Sequence, residues 1–137
     1  MITKLNHVSI FVLDQKSAYD FYVNKLGFKV NTDADMGPKG RWLTVNAPEQ
    51  PEMEITLMAI DETMMFNKDS AAKMRELVQA GTFGFGAFEC DDLLATYEEL
   101  RAKGVKFKKE PTKEFYGFNA VFEDDSGNWF SLGEKQK

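Results

Sequence analysis

Cysteine and histidine are almost missing from this chain, with one of each in 137 residues. The lone Cys90 excludes an internal disulfide and fits a reducing compartment, where its expected state is a small buried hydrophobe. With His7 the only imidazole, no second histidine stands ready to activate a thiolate. Positive charge is also short: 17 Lys and Arg against 22 Asp and Glu leave a net charge of −5 and a pI near 4.9. Nucleic-acid phosphates would be repelled, and no basic stripe interleaved with aromatics reverses that, so no nucleic-acid partner is expected. No apolar run approaches the roughly 18 residues of a membrane span. The opening run MITKLNHVSIFV enters an alternating strand at once and lacks the order of a signal peptide, so a cytoplasmic location is expected. Apolar mass, by contrast, is plentiful. Hydrophobic residues make up 43% of the chain, with 12 Phe, which fits one packed domain over residues 1–137.

The chain also nearly repeats itself at a spacing of 77 residues. Laid without a gap on Ala87–Phe107, the run Ile10–Val30 matches at Phe11/Phe88, Asp14/Asp91, Ala18/Ala95, Gly27/Gly104 and Lys29/Lys106. These matches fall on a strand, a strand-to-helix turn, a helix face and a helix stop. One supersecondary unit has been used twice.

Local signals give that unit its form. Leu5–Leu13 is rich in β-branched and aromatic residues and reads as a strand. Asp14 caps the following helix, Ala18, Phe21, Tyr22 and Leu26 share its apolar face, and Gly27 ends it at a left-handed position. Strands are predicted at Phe28–Thr32, Arg41–Asn46 and Met53–Ala59, with Met36–Gly40 as a hairpin tip. The second unit opens with a strand at Thr82–Cys90, which runs into Asp91-Asp92. A helix to Lys103 follows, with Gly104 as its stop, and then strands at Val105–Lys109, Phe118–Glu123 and Asn128–Gly133. Asp124–Asn128 reads as a tight turn, and the charge run 106–110 as a solvated edge strand. The organisation is therefore βαβββ twice: module one over 1–60, a linker over 61–81, and module two over 82–137. Within the linker, Ser70 is the predicted cap of a helix over Ala71–Gln79, and Met64-Met65-Phe66 is expected to pack on a module edge.

Three segments carry a family resemblance. HVSIFVLDQKSAYDFYVNKLGF resembles the opening strand and helix of the vicinal oxygen chelate superfamily, which includes glyoxalase I, the extradiol dioxygenases, fosfomycin-modifying enzymes and bleomycin-binding proteins. FGAFECDDLLATYEELRAKGV resembles the second opening, and VFEDDSGNWFSL the closing hairpin. The resemblance covers nearly the whole chain outside the linker. It implies an α+β fold in which two tandem βαβββ modules form curled mixed sheets around a cavity. It also implies a homodimer in which modules of two copies pair.

In metal-dependent members, four inward side chains, from the first and fourth strand of each module, hold a divalent ion that polarises the substrate. His7 sits seven residues before Asp14, where the family has its first ligand. The fourth-strand position falls on Glu54, or on Thr56 one pleat further, and both point the same way. Module two offers Phe85, or Gly84 by the gapless repeat, and then Ser131. Neither Phe nor Gly is a ligand, and hydroxyls bind such ions poorly. At most two of four ligands remain, so no metal is expected. Zn, Ni, Mn or Fe held by His7 and Glu54 is the alternative. His7 itself has two readings: a histidine hydrogen-bonded within the barrel, or an imidazole paired with Glu54 as acid/base or polar anchor.

Losing the ligands turns a chelating cavity into an apolar one with a few polar points, the constitution of a small-molecule site. Trp42, Thr56, Phe85, Tyr116, Phe118 and Ser131 are the candidate ligand-binding residues. Either Arg41 and Leu43 or Trp42 and Thr44 look inward; alternation alone does not choose. The implied function is metal-independent binding of a small molecule, flat or aromatic. The alternative is a lyase or isomerase of the glyoxalase I type, working through His7 and Glu54 with or without a metal.

Overall fold

A computed structural model describes residues 1–136. Its elements run β1 (His7–Val12), α1 (Gln15–Tyr19), β2 (Lys29–Asp35), β3 (Arg41–Asn46), β4 (Glu54–Ala59), α2 (Lys68–Gln79), β5 (Gly84–Cys90), α3 (Leu93–Ala102), β6 (Lys106–Glu114), β7 (Gly117–Glu123) and β8 (Trp129–Glu134). They build two four-stranded sheets of identical topology, β1-β4-β3-β2 and β5-β8-β7-β6. In each, the first and fourth strands of the module pair in parallel and the rest antiparallel. This is the expected α+β arrangement of two βαβββ modules.

Alternation decides which sheet face is buried. In module one, Ile10, Val12, Leu43, Val45, Ile55 and Leu57 point to one side and pack on Ala18, Phe21 and Tyr22. Ala120, Phe122, Phe130 and Leu132 of module two join the same cluster, so one core spans both modules. Aromatic edges stitch it: Phe28 meets Phe88 at 5.5 Å between centroids and Tyr22 meets Phe130 at 6.5 Å, both near perpendicular.

The two helices of the repeat differ by one residue. Asp14 caps α1 by accepting from the N–H groups of Lys16 and Ser17, whereas α3 is capped by Asp92, not Asp91. Both stops, Gly27 at φ 77° and Gly104 at φ 88°, keep the 77-residue spacing, but the caps lie 78 apart. Module one absorbs its extra residue as a π-helical turn, Asp20–Lys25, where the Leu26 N–H reaches back five residues to the Phe21 carbonyl. Adjacent Phe21 and Tyr22 are both buried there. The predicted single α-helix is thus α followed by π.

Three further boundaries depart from expectation. Asn67, not Ser70, caps α2; Ser70 is the reciprocal partner in a capping box, so the helix begins at Lys68. Strand β2 extends through a polar run that reads as loop, because it pairs with β3 as far as Asp35 opposite Arg41. Strand β6 extends through Pro111, which an edge strand with bulges accommodates. In the linker, Phe66 packs edge-on against Phe11 at 5.5 Å, while Met64 and Met65 stay exposed.

The turn 124–128 locks the modules together. The buried Tyr22 hydroxyl donates to Asp124 Oδ2 at 2.7 Å, while Asp124 Oδ1 accepts the N–H groups of Ser126, Gly127 and Asn128. Asn128 Nδ2 donates both to Asp124 and to the Phe11 carbonyl, and the Leu13 N–H donates to Ser126 Oγ. Ser17 Oγ donates to Asp125. Gly127, at φ 112°, leaves no room for a Cβ, which would lie 2.6 Å from the Val78 carbonyl oxygen.

Candidate functional site

On module one, the register sets His7 opposite Glu54 and Ser9 opposite Thr56, with Thr44 next to Thr56 across the sheet. All lie on the face away from the core. His7 Nε2 donates to Glu54 Oε2 at 2.7 Å, and its Nδ1 lies 2.9 Å from Asn6 Oδ1. Thr44 Oγ1 donates to the other Glu54 oxygen at 3.0 Å and accepts the Thr32 N–H at 3.1 Å. Glu54 is therefore met on both oxygens. Trp42 belongs to this face by its two-residue spacing from Thr44. Arg41 belongs to the other: it grips Asp33 with two bonds of 2.8 Å and sits 5.6 Å over the Tyr19 ring. That bond from Arg41 holds the Asp33 carboxyl below its ordinary value, against the opposite pull of desolvation.

Module two repeats the scaffold and changes the chemistry. Ala87 pairs with Ser131 as Ser9 pairs with Thr56, so Thr56 is the counterpart of Ser131. Glu54 is the counterpart of Trp129, which corrects the pairing of Glu54 with Ser131 that a gapless repeat suggests. Opposite Trp129 stands Gly84, with Phe85 the extra residue of a bulge. A Cβ on Gly84 would fall 2.3 Å from the Trp129 ring, so the glycine lets the indole lie against the strand. An imidazole–carboxylate pair in one module is an indole on bare backbone in the other.

A second polar cluster surrounds Ser131. Asn119 Nδ2 donates to Ser131 Oγ at 3.0 Å, and Lys109 Nζ donates to Asn119 Oδ1 at 2.8 Å and to Glu114 at 3.1 Å. The Lys109 ammonium also lies 5.9 Å from the Tyr116 ring centre. Desolvation would lower the Lys109 pKa, but hydrogen bonds with Glu114 and Tyr116 outweigh it and raise it. Residues 106–110 do form an edge strand, as their charge suggests. A bulge after Phe107 nonetheless turns Lys109 onto the Ser131 face while Phe107 faces the core. Strict alternation cannot see that turn, so the sequence gives no sign of Lys109.

Two clefts adjoin these groups. The larger, about 890 Å³, is lined by Tyr116, Phe118, Asn119 and Ser131, with Phe28, Phe88 and Phe122 and the loop between β3 and β4. Its rim carries Glu49, Glu52, Glu89, Glu99 and Glu134 against Lys25 and Lys135. The smaller, about 280 Å³, lies where β1 approaches β5 and includes Phe85, Ser9 and Met53. The candidate residues thus fall into separate places. His7, Glu54, Trp42 and Thr56 share module one's outer face; Tyr116, Phe118 and Ser131 line the large cleft; Phe85 lines the small one. A single chain does not bring the first group to the others.

The donors present do not fit a divalent metal. Among the described residues no three His, Cys, Asp or Glu side chains cluster. His7 and Glu54 supply two donors, and their neighbours are hydroxyls. Cys90 is half-buried beside the core. Desolvation pushes its thiol up, a hydrogen bond with Thr96 opposes this, and the charges of Glu134, Asp91 and Asp92 push the same way as burial, the reverse of a reactive thiolate. No helix among the described residues is long and apolar enough to cross a membrane.

Known proteins share this architecture. The chain is 34% identical over 134 residues to the uncharacterised protein YetH of Bacillus subtilis (strain 168), covering 98% of this chain and all of YetH. The crystal structure of UcmS2 superposes with a TM-score of 0.92 at 44% identity, covering 98% of this chain and 100% of UcmS2. TnmS3, an antibiotic binding protein from Streptomyces sp. CB03234, gives a TM-score of 0.75 at 29% identity and 98% coverage of both chains. The profile of the Glyoxalase/Bleomycin resistance protein/Dioxygenase superfamily matches residues 4–132. Two βαβββ modules, the paired caps and stops, and these matches together mean that the chain belongs to the Glyoxalase/Bleomycin resistance protein/Dioxygenase superfamily.

Proposed function

We propose that this chain binds a small aromatic molecule without a metal. The observation that carries the proposal is the cleft of about 890 Å³, whose lining includes Tyr116 and the half-buried Phe28, Phe88 and Phe118 together with the polar Ser131 and Asn119. Apolar walls with a few fixed hydrogen-bonding groups suit a flat organic ligand better than a chelated one. The replacement of the His7–Glu54 pair by Gly84–Trp129 in module two supports the same reading. So does the likeness to TnmS3, an antibiotic binding protein. A cytoplasmic homodimer, pairing module one of one copy with module two of the other, would unite groups that a single chain keeps apart.

The second reading is a lyase or isomerase, favoured by one contact: the 2.7 Å bond between His7 and Glu54 on an accessible face. Element analysis after incubation with Ni²⁺, Zn²⁺ or Mn²⁺ separates the two. The binding proposal expects sub-stoichiometric metal; one equivalent per chain would sink it. A thermal-shift screen of planar antibiotics supplies the positive test. A ligand at 100 times its Kd adds about 2.7 kcal/mol of apparent stability.

A further inference from the structure

We infer that Ser131 donates a hydrogen bond to a neutral acceptor oxygen of the ligand, a ketone, quinone or amide carbonyl, and that Lys109 positions it through Asn119. This deepens the binding proposal above and rests on it. The direction of the chain follows from chemistry. An ammonium has only donors, so Asn119 must turn Oδ1 toward Lys109, at 2.8 Å. Its Nδ2 then faces Ser131 Oγ at 3.0 Å and donates to it. Asn119 is 7% exposed, so water cannot readily turn the amide round. With its oxygen engaged as acceptor, the Ser131 hydroxyl keeps its proton for another partner. Among the described residues it has no acceptor, and Ser131 lines the large cleft.

Charge narrows the ligand further. Glu114 meets the Lys109 ammonium at 3.1 Å, so the cluster offers a donor and not a net positive charge. Five glutamates on the cleft rim outnumber two lysines, which disfavours a carboxylate or phosphate ligand. Tyr116, whose ring centre lies 5.9 Å from the Lys109 ammonium, lines the same cleft and offers a ring to a flat molecule. The class that satisfies all three is a neutral aromatic carbonyl compound.

Matched pairs differing only in the carbonyl test this, fluorenone with fluorene and anthraquinone with anthracene, each titrated by quenching of tryptophan fluorescence. We expect the intact chain to bind each ketone roughly tenfold more tightly than its hydrocarbon, the usual scale for one buried hydrogen bond. Ser131→Ala should bring the ketone down to the hydrocarbon's affinity. Lys109→Met should shrink the ketone-to-hydrocarbon ratio severalfold, and Lys109→Arg should restore most of it. That ratio cancels any general loosening of the cleft, which a purely structural role for Lys109 would produce. Equal affinity for both members of each pair, or a Ser131→Ala variant that keeps the preference, overturns the inference and leaves the binding proposal standing. If no ketone or hydrocarbon binds at all, the binding proposal falls, and this inference with it.

Discussion

Tyr22→Phe isolates one bond of the lock between the modules. The ring stays, with its contacts to Phe21, Phe28 and Phe130, and only the hydroxyl that donates to Asp124 is lost. Tyr22 has no exposed surface, so water cannot take the hydroxyl's place, and Asp124 Oδ2 is left with Asn128 Nδ2 alone. A hydrogen bond to a charged group contributes about 1.5–3 kcal/mol, so the expected loss is about 2 kcal/mol. For a domain of this size that lowers Tm by roughly 7 °C. Urea melts at pH 7 should show a lower midpoint with the same slope, because the surface exposed on unfolding is unchanged. A pH series adds a signature. Burial first, and then the charge and hydrogen bond of Asp124, hold the folded Tyr22 well above its ordinary value. The unfolded tyrosine ionises near pH 10, so the stability tied to this raised pKa is complete below that and declines as pH rises. Phenylalanine cannot titrate, so the gap between the two proteins should narrow above pH 10. In an Asp124→Asn background the substitution should cost less than in the native chain. A loss within about 0.5 kcal/mol at pH 7, or the same loss in both backgrounds, would refute the assignment of this bond as a lock.

Asp125 supplies a second pH test of the same turn. Desolvation raises it to about 6, opposed by the Ser17 hydrogen bond and helped by the charges of Asp124 and Asp14. A raised carboxyl contributes stability that is complete below its unfolded value and lost as pH rises through 6. Asp125→Asn should therefore melt above the native chain at pH 8 and level with it at pH 4; the opposite order in thermal melts contradicts this. Gly127→Ala combines left-handed backbone with a 2.6 Å clash on the Val78 carbonyl, and a cost above about 3 kcal/mol is expected, read as loss of the folded baseline in denaturant melts. His7→Ala, which removes a hydrogen bond to Glu54 from an imidazole that is 44% exposed, should cost under about 1 kcal/mol. Glu54→Ala should cost more, about 1–3 kcal/mol, since it strips the buried Thr44 hydroxyl of its acceptor; urea melts that rank the two in reverse would show that the network is not held by Glu54.

Local chemistry announced the repeat unit: a capping Asp, glycines at left-handed stops and period-two strands are signals carried within a few residues. They sufficed for two βαβββ modules and for Asp14 and Gly27 at the ends of the first helix; His7 and Glu54 were singled out by the family resemblance, and only the pairing of β1 with β4 brings them together. What failed was every feature set by partners distant along the chain. The polar run to Asp35 is a strand because β3 lies beside it, and Lys109 turns inward because a bulge opposite Val121 turns it. The one-residue mismatch between the helices was present in the spacing of Asp14 and Asp92, but the adjacent Asp91 concealed it. The turn 124–128 reads as an ordinary solvent turn. Only packing against Phe11, Leu13 and Tyr22 makes its aspartate a buried acceptor.

Sequence alone therefore determined the architecture, because it depends on residue type at fixed short spacing; the expectation that no metal is held rests on the family resemblance. Tertiary structure decided which face each side chain takes, that Thr56 and not Glu54 answers to Ser131, and that the candidate residues lie in separate half-sites. Those outcomes follow from register and bulges, where a shift of one residue exchanges the two faces of a strand.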